Sequence, residues 1–215
     1  APSSSGRTIP VIDPSDGQVF DEIQRSNAQD IDAAVHAARQ CHDAVWSKVS
    51  AAERGRLLMK LSAKVAEHAD ELAAIEQRDC GKPTKQAKAD ALALVRYFEY
   101  YAGACDKLHG ETIPYQDGYS VLTWREPHGV TGHIIPWNYP MQIFGRSVGG
   151  ALAAGNVCVV KPAEDACLSL LRVAQLAAEV GFPAGAINIV TGYGHEVGDA
   201  LARHPGIDHI SFTGS

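Results

Sequence analysis

The sequence has no long apolar run. Its longest weakly polar stretch, Val148–Val160, is interrupted by Gly149, Gly150, Gly155 and Asn156 and is too short to span a bilayer. A basic excess is also absent. The formal charge is −6 and no Lys/Arg-rich segment stands out, which argues against nucleic acid or an anionic membrane as a partner. Cysteines number five, an odd count without a CxxC spacing, so neither a disulfide framework nor a thiolate zinc site is expected. The nine histidines form no HExxH, because His195-Glu196 is followed by Val and Gly. No metal is expected, and free thiols fit a reducing, cytoplasmic setting. Residues 1–10 lack the apolar core of a secretory signal and read as a flexible tail.

What is present is an ordinary globular composition. The 215 residues are 46% hydrophobic and 20% charged, enough for one large domain or two small ones. Residues 11–118 read as mainly helical. Ser26-Asn27 precede Ile31, Ala34, Val35, Ala38 and Val45 at helical spacing. Ser50 and Glu53 have the spacing of a capping box, and Leu57, Leu58, Leu61, Val65, Leu72 and Ile75 follow on one face. Gly81 and Pro83 interrupt. A further helix is expected over Lys85–Ala102, with Leu92, Val95, Phe98 and Tyr101 toward the core.

Pro114–Gly118 reads as a turn, and Tyr119–Arg125 as a strand rich in β-branched and aromatic residues. From Val130 onward short apolar runs alternate with helical stretches. The runs are Val130–Ile135, Val157–Val160, Ile187–Val190 and Ile207–Phe212. Between them lie Met141–Ala154, Leu168–Val180 and Glu196–Ala202. That alternation predicts an α/β fold with a doubly wound parallel sheet. Such sheets bind ligands beyond the carboxyl ends of their strands, so the residues just after each run carry the information.

Those residues are Pro136-Trp137-Asn138-Tyr139-Pro140, Lys161-Pro162-Ala163-Glu164, Thr191-Gly192-Tyr193-Gly194 with Gly198, and Ser211-Phe212-Thr213-Gly214-Ser215. Singly, each has a plain structural alternative. Asn beside Pro is a common turn pair. Lys161 and Glu164 can be a solvated pair where a helix begins. Gly192-x-Gly194 departs from GxGxxG, because the third glycine comes one residue late.

Jointly they are specific. Ile134-Ile135-Pro136-Trp137-Asn138-Tyr139-Pro140, Ala151–Asn156, Val160–Glu164, Phe182–Gly192 and Phe212–Ser215, in this order and spacing, resemble the aldehyde dehydrogenase superfamily. Glu53-Arg54 and Gly81-Lys82-Pro83 fit it more loosely. The resemblance covers nearly the whole sequence and implies the N-terminal, NAD-binding portion of such an enzyme. Residues 130–215 would be an incomplete Rossmann-like part, and residues 119–129 a β segment of an oligomerisation arm in a homodimer or homotetramer.

The family's route oxidises an aldehyde through a cysteine thiolate, hydride transfer to NAD and hydrolysis of the thioester. By resemblance Asn138 donates to the developing oxyanion, while Lys161 and Glu164 contact the adenosine ribose. Ile134, Pro136 and Trp137 wall the cofactor, and Gly194, Gly198, Phe212, Gly214 and Ser215 complete its contacts. None of the five cysteines matches the family nucleophile, so that thiol and the general base are expected outside this sequence. One departure stands out: Arg146-Ser147 occupies the place of a common Trp-Lys pair, so a lysine relay cannot be carried over to Ser147. A nucleotide-binding fragment without chemistry, or a structural protein on the same scaffold, remain as alternatives.

Overall fold

A computed structural model describes residues 3–214. The chain begins with a hairpin. Strands β1 (Thr8–Ile12) and β2 (Val19–Gln24) pair antiparallel, with Ile9 opposite Ile23. Ile9 and Val11 point inward and are buried with Ile23 and Cys167, while Thr8, Pro10 and Ile12 alternate outward. This corrects the expectation of a flexible tail as far as residue 10. Residues 1 and 2 lie outside the described residues, but Ser3 Oγ and the Ser4 N–H both donate to the Asp30 carboxylate at 2.8 Å. Pro10 hid the strand. Proline is tolerated on an edge, where its missing N–H costs no ladder bond.

Four helices follow. Asn27 caps α1 (Ala28–Ala44) in a capping box with Asp30, and Ser50 caps α2 (Ala51–Glu67) in another with Glu53. The apolar run expected through Ile75 is two helices, because the chain breaks at His68 before α3 (Ala69–Cys80). Gly81, at φ +69°, ends α3, and Pro83 leads into α4 (Thr84–Ala104). The buried stripe of α4 is Ala87, Ala91, Leu94 and Phe98, spaced four, three and four. Leu92, expected in the core, lies one position off that stripe and is half exposed. The strand expected over Tyr119–Arg125 shrinks to β4 (Val121–Leu122), paired with β3 (Thr112–Ile113) in a small exposed hairpin.

The second half is the expected alternation. Strands β5 (Val130–Ile135), β6 (Val157–Pro162), β7 (Ile187–Ile189) and β8 (His209–Phe212) form one parallel sheet in the order β7-β6-β5-β8. Helices α5 (Pro140–Ala153) and α6 (Leu168–Glu179) cover one face, and α1 with the short α7 (Asp199–Arg203) covers the other. This is the Rossmann-like, doubly wound arrangement. The chain moves outward from β5 to β6 to β7 and then returns to place β8 on the far side of β5. Between β5 and β8 the winding reverses, and sheets of this kind bind ligands at the carboxyl ends of the strands at such a point.

The core joins the two halves. Phe98 of α4 meets Phe144 of α5 edge to face, with centroids 6.3 Å apart. Gly145 permits this closeness, since a Cβ there would stand 2.9 Å from Leu94 Cδ1. No helix among the described residues is long and apolar enough to cross a membrane.

His133, buried in the middle of β5, shares a 2.9 Å hydrogen bond with Thr131 Oγ1, and its Nδ1 has no partner. Burial, with some repulsion from His209, pushes its pKa down to about 4 from the usual 6.5. A folded-state pKa below the unfolded one makes the contribution complete above about 6.5 and lost as pH falls through about 4. Calorimetry between pH 7 and 4 is therefore expected to show a declining Tm, with a shallower decline in His133→Gln, whose side chain cannot take up the proton. Equal slopes would assign the acid sensitivity to other groups.

Candidate cofactor site

The sheet register assembles the first part of the site. Ile134 stands opposite Lys161 of β6 on one side and Phe212 of β8 on the other. Paired residues of parallel strands point to the same face. That face is the one covered by α7, because a Cβ on Gly132, two residues before Ile134, would point at Leu201 of α7. The ladder also continues past the strands. The N–H of Ala163 donates to the Ile135 carbonyl at 2.8 Å, and that of Thr213 to the Ile134 carbonyl at 3.1 Å. Both loops are thus held where the winding reverses.

Lys161 is 4% exposed, and its ammonium meets the Glu164 carboxylate at 2.6 Å across a tight turn. Burial opposes ionisation of Glu164. Burial is the largest single influence, but the Lys161 hydrogen bond and charge together with backbone N–H donors, Gly194 among them, outweigh it and hold the carboxyl below its usual range. Glu164 and Trp137 line one groove of about 440 Å³ with Cys80, Tyr193 and, from the N-terminal hairpin, Ile9 and Ile12. Trp137 is largely exposed and Pro136 half-buried. Asn138, next along this loop, is solvent-exposed, and Pro140 at the first position of α5 ends the loop.

After β7 the chain enters a wide π turn, Gly194–Gly198, that leads into α7. Neither glycine has a positive φ, and a Cβ on either would meet no atom of the chain within 4 Å. The chain's own packing therefore does not require glycine at these positions. The open space beside them suits the close approach of a ligand to the backbone. Phe212 and Gly214 follow at the end of β8, both exposed, while Ser215 lies outside the described residues. Arg146 is exposed on α5, and Ser147 Oγ donates back to the Ile143 carbonyl at 2.9 Å, away from any relay.

All five cysteines are free thiols. Burial raises every one: Cys80 and Cys158 to about 12, and Cys41, Cys105 and Cys167 upward as well. None is a thiolate near neutral pH, the form that attacks a carbonyl.

Behind the Asn138 loop stands a buried charge cluster that no sequence motif marks. Glu76 of α3 and Asp90 of α4 are fully buried, and Lys82 between them bonds both at 2.5 Å. Burial pushes the Glu76 carboxyl up to about 7 despite that hydrogen bond. Burial also opposes ionisation of Asp90, but bonds from Lys82, Gln142 and Gln86 hold it below the usual range. A signal was present, since Glu76 follows Leu72 by one helical turn and Asp90 precedes Leu94 by one, so two carboxylates sit at core positions.

Comparisons with known proteins agree with this geometry. The family model described as "Aldehyde dehydrogenase family" matches residues 1–215. A hydroxyisobutyraldehyde dehydrogenase of Mycolicibacterium austroafricanum is 50% identical over 214 residues, covering 100% of this chain and 42% of the relative. A Burkholderia cenocepacia crystal structure, assigned as an aldehyde dehydrogenase, superposes with a TM-score of 0.99 at 73% identity. That match covers 100% of this chain and 45% of the other. The NAD+ complex of an aldehyde dehydrogenase from Bacillus cereus superposes at 0.98 and 42% identity, covering 100% and 44%. The chain thus spans less than half the length of these relatives. It belongs to the aldehyde dehydrogenase family.

Proposed function

We propose that this chain is the cofactor-binding half of an NAD-dependent aldehyde dehydrogenase that oxidises a small aldehyde to its carboxylic acid. The observation that carries this reading is the set of side chains at the carboxyl end of the sheet where its winding reverses. Lys161, Ile134 and Phe212 stand there in register, and the Lys161–Glu164 pair faces a glycine turn with room beside it. The nucleophilic thiolate and the general base come from sequence beyond these residues. The protonated state of all five thiols supports that, and so does the fraction of the relatives' length that is matched. On its own the chain then turns nothing over.

NAD, when bound, accepts hydride from the substrate carbon. The residues here bind and orient. The Lys161 ammonium donates to ribose hydroxyls and the Glu164 carboxylate accepts from them. Ile134, Pro136, Trp137 and Phe212 give apolar walls, the backbone at Gly194, Gly198 and Gly214 approaches the cofactor closely, and Ser215 is a further contact. Asn138 donates an uncharged N–H to the oxyanion that forms when a thiolate adds to the aldehyde carbonyl, without pairing permanently with the thiolate. Arg146 stays protonated and is no substitute for a lysine relay. The exposed β3–β4 hairpin, with Tyr119 and Trp124 beside it, supplies an edge for pairing in a homodimer or homotetramer, and free thiols fit a reducing, cytoplasmic compartment.

Three outcomes test the reading on the complete enzyme. Asn138→Ala is expected to lower kcat by about ten- to a thousand-fold, the scale of losing one oxyanion donor, and an unchanged kcat would remove the assignment. The Glu164 carboxylate repels a 2′-phosphate, so kcat/KM should favour NAD over NADP, and Glu164→Gln should narrow the difference. A native preference for NADP would contradict this role. Gly198→Ala meets nothing in the chain, so it should weaken NAD binding in calorimetry while leaving Tm nearly unchanged. A fall in Tm with intact binding would make that glycine a folding requirement instead.

A further inference from the structure

The Glu76–Lys82–Asp90 cluster is costly. Two carboxyls and an ammonium are withdrawn from water, and packed apolar residues would often serve stability as well. Its contacts indicate what it does instead. Glu76 also accepts from Ser169 Oγ at the start of α6, at 3.3 Å. Asp90 accepts from Gln86 at 2.7 Å and from Gln142 in the first turn of α5 at 2.6 Å. The remaining contact of Lys82 is outward: its ammonium stands 4.6 Å from the centroid of the Tyr139 ring, a cation–π contact. Two residues earlier, the Cys80 thiol donates to the Trp137 carbonyl at 3.2 Å. The segment Cys80–Lys82 thus grips the chain on both sides of Asn138, at Trp137 and at Tyr139. Asn138 itself contributes nothing to the grip.

We propose that Lys82, oriented by Glu76 and Asp90, and Cys80 are positioning residues that hold Trp137 and Tyr139 so that the Asn138 amide is presented to the reacting carbonyl. The inference rests on the oxyanion role given to Asn138 above. It assigns a function in the reaction to a charge cluster that never touches substrate. The physical need is clear. An exposed loop does not hold a donor within a few tenths of an ångström, and a misplacement of about 1 Å can cost a hundred-fold in rate. The Asp90–Gln142 bond fixes α5 to the same cluster, so the helix after Asn138 and the loop before it share one anchor.

A double-mutant cycle on the complete enzyme tests this, read as the single-turnover rate of NADH formation and as NAD affinity. Lys82→Met is expected to slow the single turnover by about ten- to a hundred-fold while the Kd for NAD stays within about twofold. In an Asn138→Ala background, Lys82→Met should cost less than about twofold more, because the donor it positions is gone. Lys82→Arg, which keeps a cation over the ring, should recover most of the loss. If Lys82→Met does not fold, Cys80→Ala carries the cycle, with an expected loss of about threefold, restored by Cys80→Ser and absent in the Asn138→Ala background. Equal losses in both backgrounds, a parallel loss of NAD binding, or no effect from Cys80→Ala would each overturn the proposal and leave the cluster a staple of the fold. No effect from Asn138→Ala alone would instead overturn the functional reading on which it rests.

Discussion

The parallel ladder through β5 is the constraint on which the site depends. Its register places Ile134 between Lys161 and Phe212, which lie 27 and 78 positions further along the chain. Because the side-chain period of a strand is two, a one-residue slip would turn all three to the opposite face. The slip is resisted by burial. Every residue of β6 is buried, and β5 is buried except at Ile134, which is partly exposed. The ladder then extends through Ala163 and Thr213, so the loops leave the sheet at defined points.

Around that ladder the protein tolerates an unusual amount of buried charge and polarity. His133 remains neutral with one ring nitrogen unpartnered, and Glu76 and Asp90 share a single ammonium. Such groups weaken stability unless each atom finds a partner. His133 lies in the middle of β5, while Glu76 and Asp90 stand with Lys82 behind the Asn138 loop. Asp79, Asn156 and Lys161 are buried as well, within an interior that is otherwise largely apolar, with Trp46 on Phe182 and Phe98 on Phe144.

Much of the fold was legible. Capping residues Asn27 and Ser50 mark two helix starts directly, since a side-chain oxygen satisfying a free N–H is a local event. The alternation from Val130 onward fits seven elements to within a few residues. Legibility failed where the decisive contact was distant. The β1–β2 hairpin depends on Cys167 and the start of α6 for its apolar partner, so Thr8–Ile12 alone looks like a loose tail. Leu92 follows helical periodicity as well as Leu94 does, and only the packing of α2, α3 and α5 around α4 decides which of them is covered.

The site divides in the same way. The sequence by itself determined which residues follow each strand, the glycines at Gly194 and Gly198, and the Pro-Trp-Asn-Tyr-Pro segment, because strand, turn and helix are specified by residues close together in the chain. Family membership follows from that order. The tertiary structure alone decided that Lys161 bonds Glu164 while standing beside Ile134, that Glu164 shares a groove with Trp137, and that Lys82 reaches Tyr139 from 57 residues away in the chain, the separation of Cys80 from Trp137 as well. Those contacts close long loops. No local pattern encodes them, and they exist only once the burial of α3, α4 and α5 against the sheet has brought their ends together.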